Sequence, residues 1–186
     1  METKPISHIT GFFLDYEHSS HYNEDMFLYK MMSPYEMLEM TNEELEAAHD
    51  VIQWMFPLHE RSYHSLNTPV LTEADIELLS KSVDAQINII KFYNRMLDFL
   101  LGENGENVKK WCFEGNHNLL RITRIIRSLR LFGLEDLARD FYIVMNRIGV
   151  EEGLPKKTFE YWDAAMFEDK MASMTDRFLK DREIRL

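Results

Sequence analysis

The 186-residue chain predicts an all-α fold, a single-domain bundle of about six to eight helices. Three observations lead there. Apolar residues recur at spacings of three and four through segment after segment, as in Ile76, Leu79, Val83, Ile87, Ile90 and Leu97. Helix-start chemistry precedes those segments: Ser33-Pro34-Tyr35-Glu36 and Thr41-Asn42-Glu43-Glu44 each put a hydroxyl three residues before a glutamate. Finally, no stretch alternates apolar and polar residues convincingly enough for a strand, and neither a repeat nor a low-complexity tract is visible.

Taken in order, residues 1–23 are polar and histidine-containing, with one short apolar run at Phe12-Phe13-Leu14, and predict a poorly defined N-terminal segment. Residues 24–186 predict a single helical domain. A short helix is expected from Asn23 to Met32, a second after Ser33, and one opened by Thr41 that Pro57 ends. Arg61 to Pro69 reads as a loop. Thr72 then caps the longest helix, which Gly102 stops, and the apolar segment Val108 to Phe113 has no assigned type. Asn116 caps a helix that Gly133 closes; another runs to Gly149; a terminal helix begins after Gly153 and Pro155 and becomes highly charged toward Leu186.

The helix after Asn116 stands out because it holds four arginines and no acid in a chain of formal net charge −11. At 100° per residue, Ile122, Ile125, Ile126, Leu129 and Phe132 fall within about 140° of one another. Arg121, Arg124, Arg127 and Arg130 fan over the other side. The expectation is a helix with a buried apolar face and an arginine-clad outer face.

An apolar fraction of 45% and an aromatic fraction of 12% suit a folded core, so the acidic balance signals a solvated surface rather than disorder. Such a surface repels duplex nucleic acid and anionic membranes, leaving the arginine helix as the candidate basic patch. The single Cys112 has no intramolecular partner, no secretory signal pattern opens the chain, and no apolar run approaches the ~20 residues that span a bilayer. A cytoplasmic protein with no membrane insertion is expected, a nuclear location being open if the source is eukaryotic.

Two blocks carry a family resemblance. Asn116-His117-Asn118-x-x-Arg121-x-Thr123-Arg124, followed by Leu129-x-x-Phe132-Gly133-Leu134, is similar to the conserved region of the opioid growth factor receptor family. Leu45-Glu46-Ala47-Ala48-His49-Asp50-Val51-Ile52-Gln53-Trp54-Met55-Phe56-Pro57 resembles a second block of that family, with Val51 and Met55 as conservative departures. Fainter echoes are Asn67-Thr68-Pro69-Val70-Leu71-Thr72 and Tyr161-Trp162, so the likeness runs from about residue 25 to residue 165. The resemblance implies a binding role, since animal members are described as receptors for a small enkephalin-type peptide.

The candidate site joins both blocks. Asn116, His117, Asn118, Arg121 and Arg124 crowd a helix start, where free N–H groups and the positive dipole end favour a small anion. His49, Asp50, Gln53 and Trp54 are placed on a helix, with residues 46, 49, 50 and 53 sharing one face. If the two meet, Asp50 or Glu46 holds Arg121 or Arg124 in a buried polar network. Trp54 and Phe56 are expected in the core; exposed instead, they offer an aromatic platform for a peptide side chain. Met26, Met31, Met32, Met37 and Met40 cluster in a way that suits an adaptable interaction surface.

The sequence contains no Gly-x-Ser-x-Gly, Walker-type loop or Gly-x-Gly-x-x-Gly. Glu46-x-x-His49 and Glu114-x-x-His117 match di-iron spacing, yet Gly115 takes the second out of a helix. The leading expectation is a non-enzymatic module that binds a peptide or protein partner, with no cofactor and no metal. One alternative is nucleic-acid or nucleotide binding through Arg121 to Arg130, which requires those arginines to be exposed. Another is a metal-dependent hydrolase using His49 and Asp50.

Overall fold

Hydroxyl caps fix where the first helices begin. In the computed structural model, which describes residues 7–14, 33–61, 68–173 and 176–177, Ser33, Thr41 and Thr72 each accept the backbone N–H three residues ahead at 3.2 Å. The acid at that third position reaches back to the cap residue's own N–H in all three cases. The helices are α1 (His8–Leu14), α2 (Pro34–Leu38), α3 (Asn42–Ala47), α4 (Val51–Met55), α5 (Glu73–Lys81), α6 (Val83–Leu101), α7 (Val108–Trp111), α8 (Asn118–Leu131), α9 (Glu135–Glu151) and α10 (Lys156–Phe167). Among the described residues there is no strand, only one isolated bridge between Leu58 and Val70. The fold is all-α.

More helices form than the sequence predicts because two expected ones break and two short ones, α1 and α7, form where none was assigned. Thr41 to Pro57 splits at Ala48, whose extended ψ of 99° ends α3 before Asp50 opens α4. The long helix from Thr72 splits at Ser82, which leaves helical geometry and caps α6 by accepting Ala85 N–H at 3.2 Å. The untyped segment from Val108 forms α7.

Within the described part of residues 1–23, α1 buries Ile9, Phe12 and Phe13 against α5 and α6. Phe12 stacks on Phe92 at 5.9 Å and Phe13 meets Phe132 edge-on at 4.7 Å. A buried carboxylate fastens this helix: Asp75 accepts the Thr10 hydroxyl at 2.6 Å, the Ser7 hydroxyl and the Thr72 hydroxyl at 2.6 Å. Burial raises the Asp75 pKa, but the hydrogen bonds from Ser7, Thr10 and Thr72 outweigh it and hold the carboxyl below its ordinary value.

The expected helix over 23–32 lies outside the described residues, as do most of the 61–69 loop and most of the chain past 173. Of the methionine cluster, Met37 and Met40 are buried in the core rather than on an interaction surface, and Met26, Met31 and Met32 lie outside the described residues.

Helix α8 is the centre of the molecule, packed on α9 and α10. Ile122, Ile125, Ile126 and Leu129 are fully buried, as their spacing predicts. The helix stops as predicted: Leu134 N–H bonds Leu129 C=O at 2.9 Å and Gly133 N–H bonds Arg130 C=O at 3.1 Å, with Gly133 at φ 76°. Any side chain at Gly133 would also press on the Ser80 carbonyl, 3.0 Å from where its Cβ would sit, so glycine is required twice over. Cys112 is buried, and burial with the nearby Glu152 pushes its thiol up to about 11, consistent with a packed side chain rather than a nucleophile.

Candidate functional site

The two motif blocks meet. Because α3 ends at Ala48 and α4 starts after Asp50, the chain turns a corner there, and the first turn of α8 lies against it. Arg121 donates from Nη2 to the carbonyls of Leu45 at 2.8 Å and Ala48 at 3.1 Å, both near the end of α3, and from Nη1 to Asn118 Oδ1 at 3.1 Å. Asn118 Nδ2 donates in turn to Glu46 Oε2 at 3.0 Å. Arg121 Nη1 stands 3.9 Å from the same carboxylate, so it is Glu46 rather than Asp50 that faces the guanidinium.

Outside this buried pair sit the histidines. The rings of His49 and His117 meet edge to face with centroids 5.2 Å apart. His117 Nε2 lies 3.4 Å from Glu46 Oε1, close enough for charge interaction, but it has no hydrogen bond. Burial, then the Arg121 charge and His49, push the His117 pKa below its ordinary value against the pull of Glu46. Asn116 Oδ1 accepts the Asn118 N–H at 2.8 Å, but the N-cap position of α8 falls one residue later than predicted, on His117, whose side chain makes no cap bond. Asp50 Oδ1 is buried without a hydrogen bond.

Gln53, Trp54 and Arg124 make contacts within their own domain. Gln53 is buried, and with its amide turned to donate it reaches the carbonyls of Asp50 at 2.7 Å and His49 at 3.0 Å. Trp54 is half-buried with its ring 5.7 Å from Phe12. Arg124 Nη1 donates to Phe56 C=O at 3.1 Å; burial, opposed by Glu60, takes its pKa down to about 10, so it stays charged at neutral pH.

An arginine-clad outer face is therefore absent. Arg121 is 5% exposed and Arg127 0%. The polar side of α8 is covered because other helices point their C-terminal ends at it, and carbonyls there lack intrahelical donors and carry the negative end of the dipole. Arg121 serves α3, Arg124 serves α4, and Arg130 serves α10 through Ala165 C=O at 2.8 Å and Glu168 C=O at 2.9 Å. Arg127 holds the segment after α10, donating from Nε to Lys170 C=O at 2.9 Å and from Nη2 to Ala172 C=O. Ser128 adds a hydroxyl bond to Pro57 C=O at 3.0 Å. Guanidinium suits this work because one planar group offers five donors and keeps its charge when buried.

The sequence reading missed two exposed side chains along this stretch of the chain. Phe113, in the turn after α7, is 52% exposed, and Leu120, in the first turn of α8, 42%. Leu120 had a signal: it lies roughly opposite the centre of the apolar arc, where a leucine has no core to face. Phe113 had none beyond its flanks.

Among the described residues, no three His, Cys, Asp or Glu side chains are gathered to hold a metal ion. No described helix is long and apolar enough to cross a membrane. The model of the family described as "Opioid growth factor receptor (OGFr) conserved region" matches residues 13–175. The chain belongs to that family. Relatives of this OGFr-region chain include opioid growth factor receptor-like protein 1 of Xenopus tropicalis, 37% identical over 106 residues that make up 50% of this chain and 20% of the relative. The mouse protein of that name is 32% identical over 126 residues, 61% of this chain and 27% of the relative. Human opioid growth factor receptor is 34% identical over 126 residues, 61% of this chain and 18% of the relative. The OGFr region here thus spans about a fifth to a quarter of those relatives' length. No solved structure matches.

Proposed function

We propose that the chain is a non-enzymatic binding module whose partner, a peptide or protein, docks on the corner where α3, α4 and the start of α8 meet. The observation that carries this reading is the contrast within the corner. Buried Asn118 and Arg121, tied to the partly exposed Glu46, hold the backbone in place, while His49 and, in the first turn of α8, Leu120 are exposed. Exposed aromatic and aliphatic side chains on a fixed base are what a partner's side chains use as anchors. Asn116 and His117, both half-buried, complete the rim.

The relatives' names call the longer proteins receptors, which supports binding as the class of function. Their ligands are not carried to this chain. Nucleic-acid binding through Arg121 to Arg130 loses its premise, because those arginines donate to carbonyls of their own domain. The metal-hydrolase alternative has no support from the gathered side chains.

A photo-crosslinking amino acid at position 120, in the full chain expressed in its source cells, tests the reading against the same group at the exposed Val150 of α9. Expected is a discrete adduct from position 120 that is absent from 150, with the purified partner's affinity falling at least about tenfold on Leu120→Asp. No adduct, or equal adducts from both positions, removes this surface from consideration.

A further inference from the structure

We propose that the outer side of α6 is a self-complementary docking face on which a second copy of this chain seats antiparallel. The face shares no residue with the α3–α4 corner and does not depend on whether a partner docks there.

Helix α6 buries Ile89, Phe92 and Met96 in the core, and a helix so covered on one side is expected to be polar on the other. It is not. Val83 is 67% and Ile87 48% exposed, Ile90 is half-buried, and Asn94 is exposed. Val83, Ile87 and Ile90 take no part in the hydrophobic core. Their spacing of four, three and four with Asn94 puts all four on one stripe, the rhythm by which one helix packs along another. At 100° per residue that stripe is centred roughly 160° from the middle of the buried side. Single exposed apolar side chains are ordinary, but a stripe of β-branched ones facing away from the core has the form of an interface.

Charge selects the occupant. Asp84 and Lys91 are exposed, seven residues apart, on one flank of the stripe. In an antiparallel pair whose two-fold axis passes between residues 88 and 89, Ile87 faces Ile90 of the second copy and Val83 faces its Asn94. Asp84 then faces Lys91 of the second copy, and the axis repeats every contact once. Lys91 donates to Asn88 Oδ1 at 3.1 Å, a bond that an ammonium with three donors keeps while meeting a carboxylate. Sliding one copy by a heptad sets either Lys91 or Asp84 against its own counterpart. Sliding by two heptads brings Lys91 to Asp98, but leaves Val83 and Ile87 uncovered and calls on Leu97 and Leu101, which pack against their own core. A parallel pair offers Lys91 only Gln86, which is bonded to the Ser80 and Phe132 carbonyls. Asn94 falls at the rim of the chosen register, where water solvates its amide.

The stripe from Val83 to Asn94 is about 16 Å long. An interface of that length falls short of the roughly 1,200 Å² of a standard stable complex, and a formal net charge of −11 on each copy opposes association further. The dimer is therefore reversible, with a Kd of about 100 µM once salt screens the overall repulsion.

Sedimentation equilibrium of the full chain, up to about 1 mM in about 0.15 M salt, tests the face. A monomer–dimer equilibrium is expected, weakened at least about tenfold by Ile87→Asp. Asp84→Lys and Lys91→Glu each oppose like charges at both ends of the pair, and each alone should weaken association about fivefold. Mixed in equal amounts, the two variants should associate as tightly as the unaltered chain, because every cross pair is again opposite in sign. A chain monomeric at the highest concentration, an Ile87→Asp chain that associates undiminished, or a mixture no tighter than its components overturns the proposal. Should a variant fail to fold, concentration-dependent NMR shifts of the unaltered chain decide: shifts centred on residues 83–94 support the face, and shifts centred on another helix, or none, refute it.

Discussion

The two ends of α8 bind their surroundings through the same residue type and to different effect. At the first turn, Arg121 holds the carbonyls of Leu45 and Ala48, residues that are themselves buried. Past the middle, Arg127 holds the carbonyls of Lys170 and Ala172, on a segment whose residues 168–173 are exposed or half-buried. Lost donors at the first end leave carbonyls that water cannot reach. Lost donors at the other leave carbonyls that can turn outward and be solvated. Arginine count says nothing of this difference; the burial of the acceptor decides it.

Arg121→Ala should therefore give the largest effect. Two buried carbonyls left without donors cost about 1–3 kcal/mol each, so urea unfolding should show a loss of about 3 kcal/mol or more. Arg127→Ala should cost less, about 1–2 kcal/mol, and act locally, with limited proteolysis beginning within residues 168–173 while α8 stays protected. Equal global losses in both variants would mean that the segment after α10 is as firmly part of the core as the α3–α4 corner. That outcome would end the comparison.

Asp75 extends the contrast to a group of opposite sign. Its hydrogen bonds fasten α1 to α5, and its folded pKa lies below the ordinary value, so the stability it supplies is present above the unfolded value of about 3.9 and lost as pH falls toward the folded one. Asp75→Ala should cost about 1–3 kcal/mol at neutral pH by leaving the buried Thr10 hydroxyl without its acceptor. The loss should shrink in denaturant unfolding at about pH 3, where the unaltered protein has already lost the contribution. A pH-independent difference would assign the effect to packing of α1 instead.

What could be read in advance follows the same division between local and long-range causes. Ser33, Thr41 and Thr72 announced their helices because capping uses atoms within three residues, and Gly133 announced a stop for the same reason. The spacing of Ile122, Ile125, Ile126 and Leu129 marked the buried side of α8 correctly. The other side was misjudged, since a helical wheel assigns polar residues to water and cannot show the carbonyl ends of α3, α4 and α10 pointing at it. Ser82 hid its break because Ile76, Leu79, Val83 and Ile87 keep their rhythm across it. At the site, the sequence offered His49 and His117 and left open whether they touch. Their 5.2 Å ring contact depends on the corner at Ala48, which no local signal marks.

Ser128→Ala should fall below the arginine variants, at about 1 kcal/mol, because its hydroxyl supplies one neutral bond to the buried Pro57 carbonyl.

The smallest stability effect should belong to the residue with the largest proposed effect on binding. Leu120 is exposed on the side of α8 away from its apolar face, so Leu120→Ala removes little buried surface and keeps helix propensity, and unfolding should shift by no more than about 0.5 kcal/mol. Arg121 is its immediate neighbour in sequence and lies in the interior. If α8 divides its first turn between support and contact, Arg121→Ala unfolds the corner and Leu120→Ala leaves a folded chain with weakened partner capture. A Leu120→Ala chain that loses more than about 1 kcal/mol would show that this leucine packs inward in solution. The exposed rim would then lack its aliphatic anchor, and the docking surface would have to be sought elsewhere on the domain.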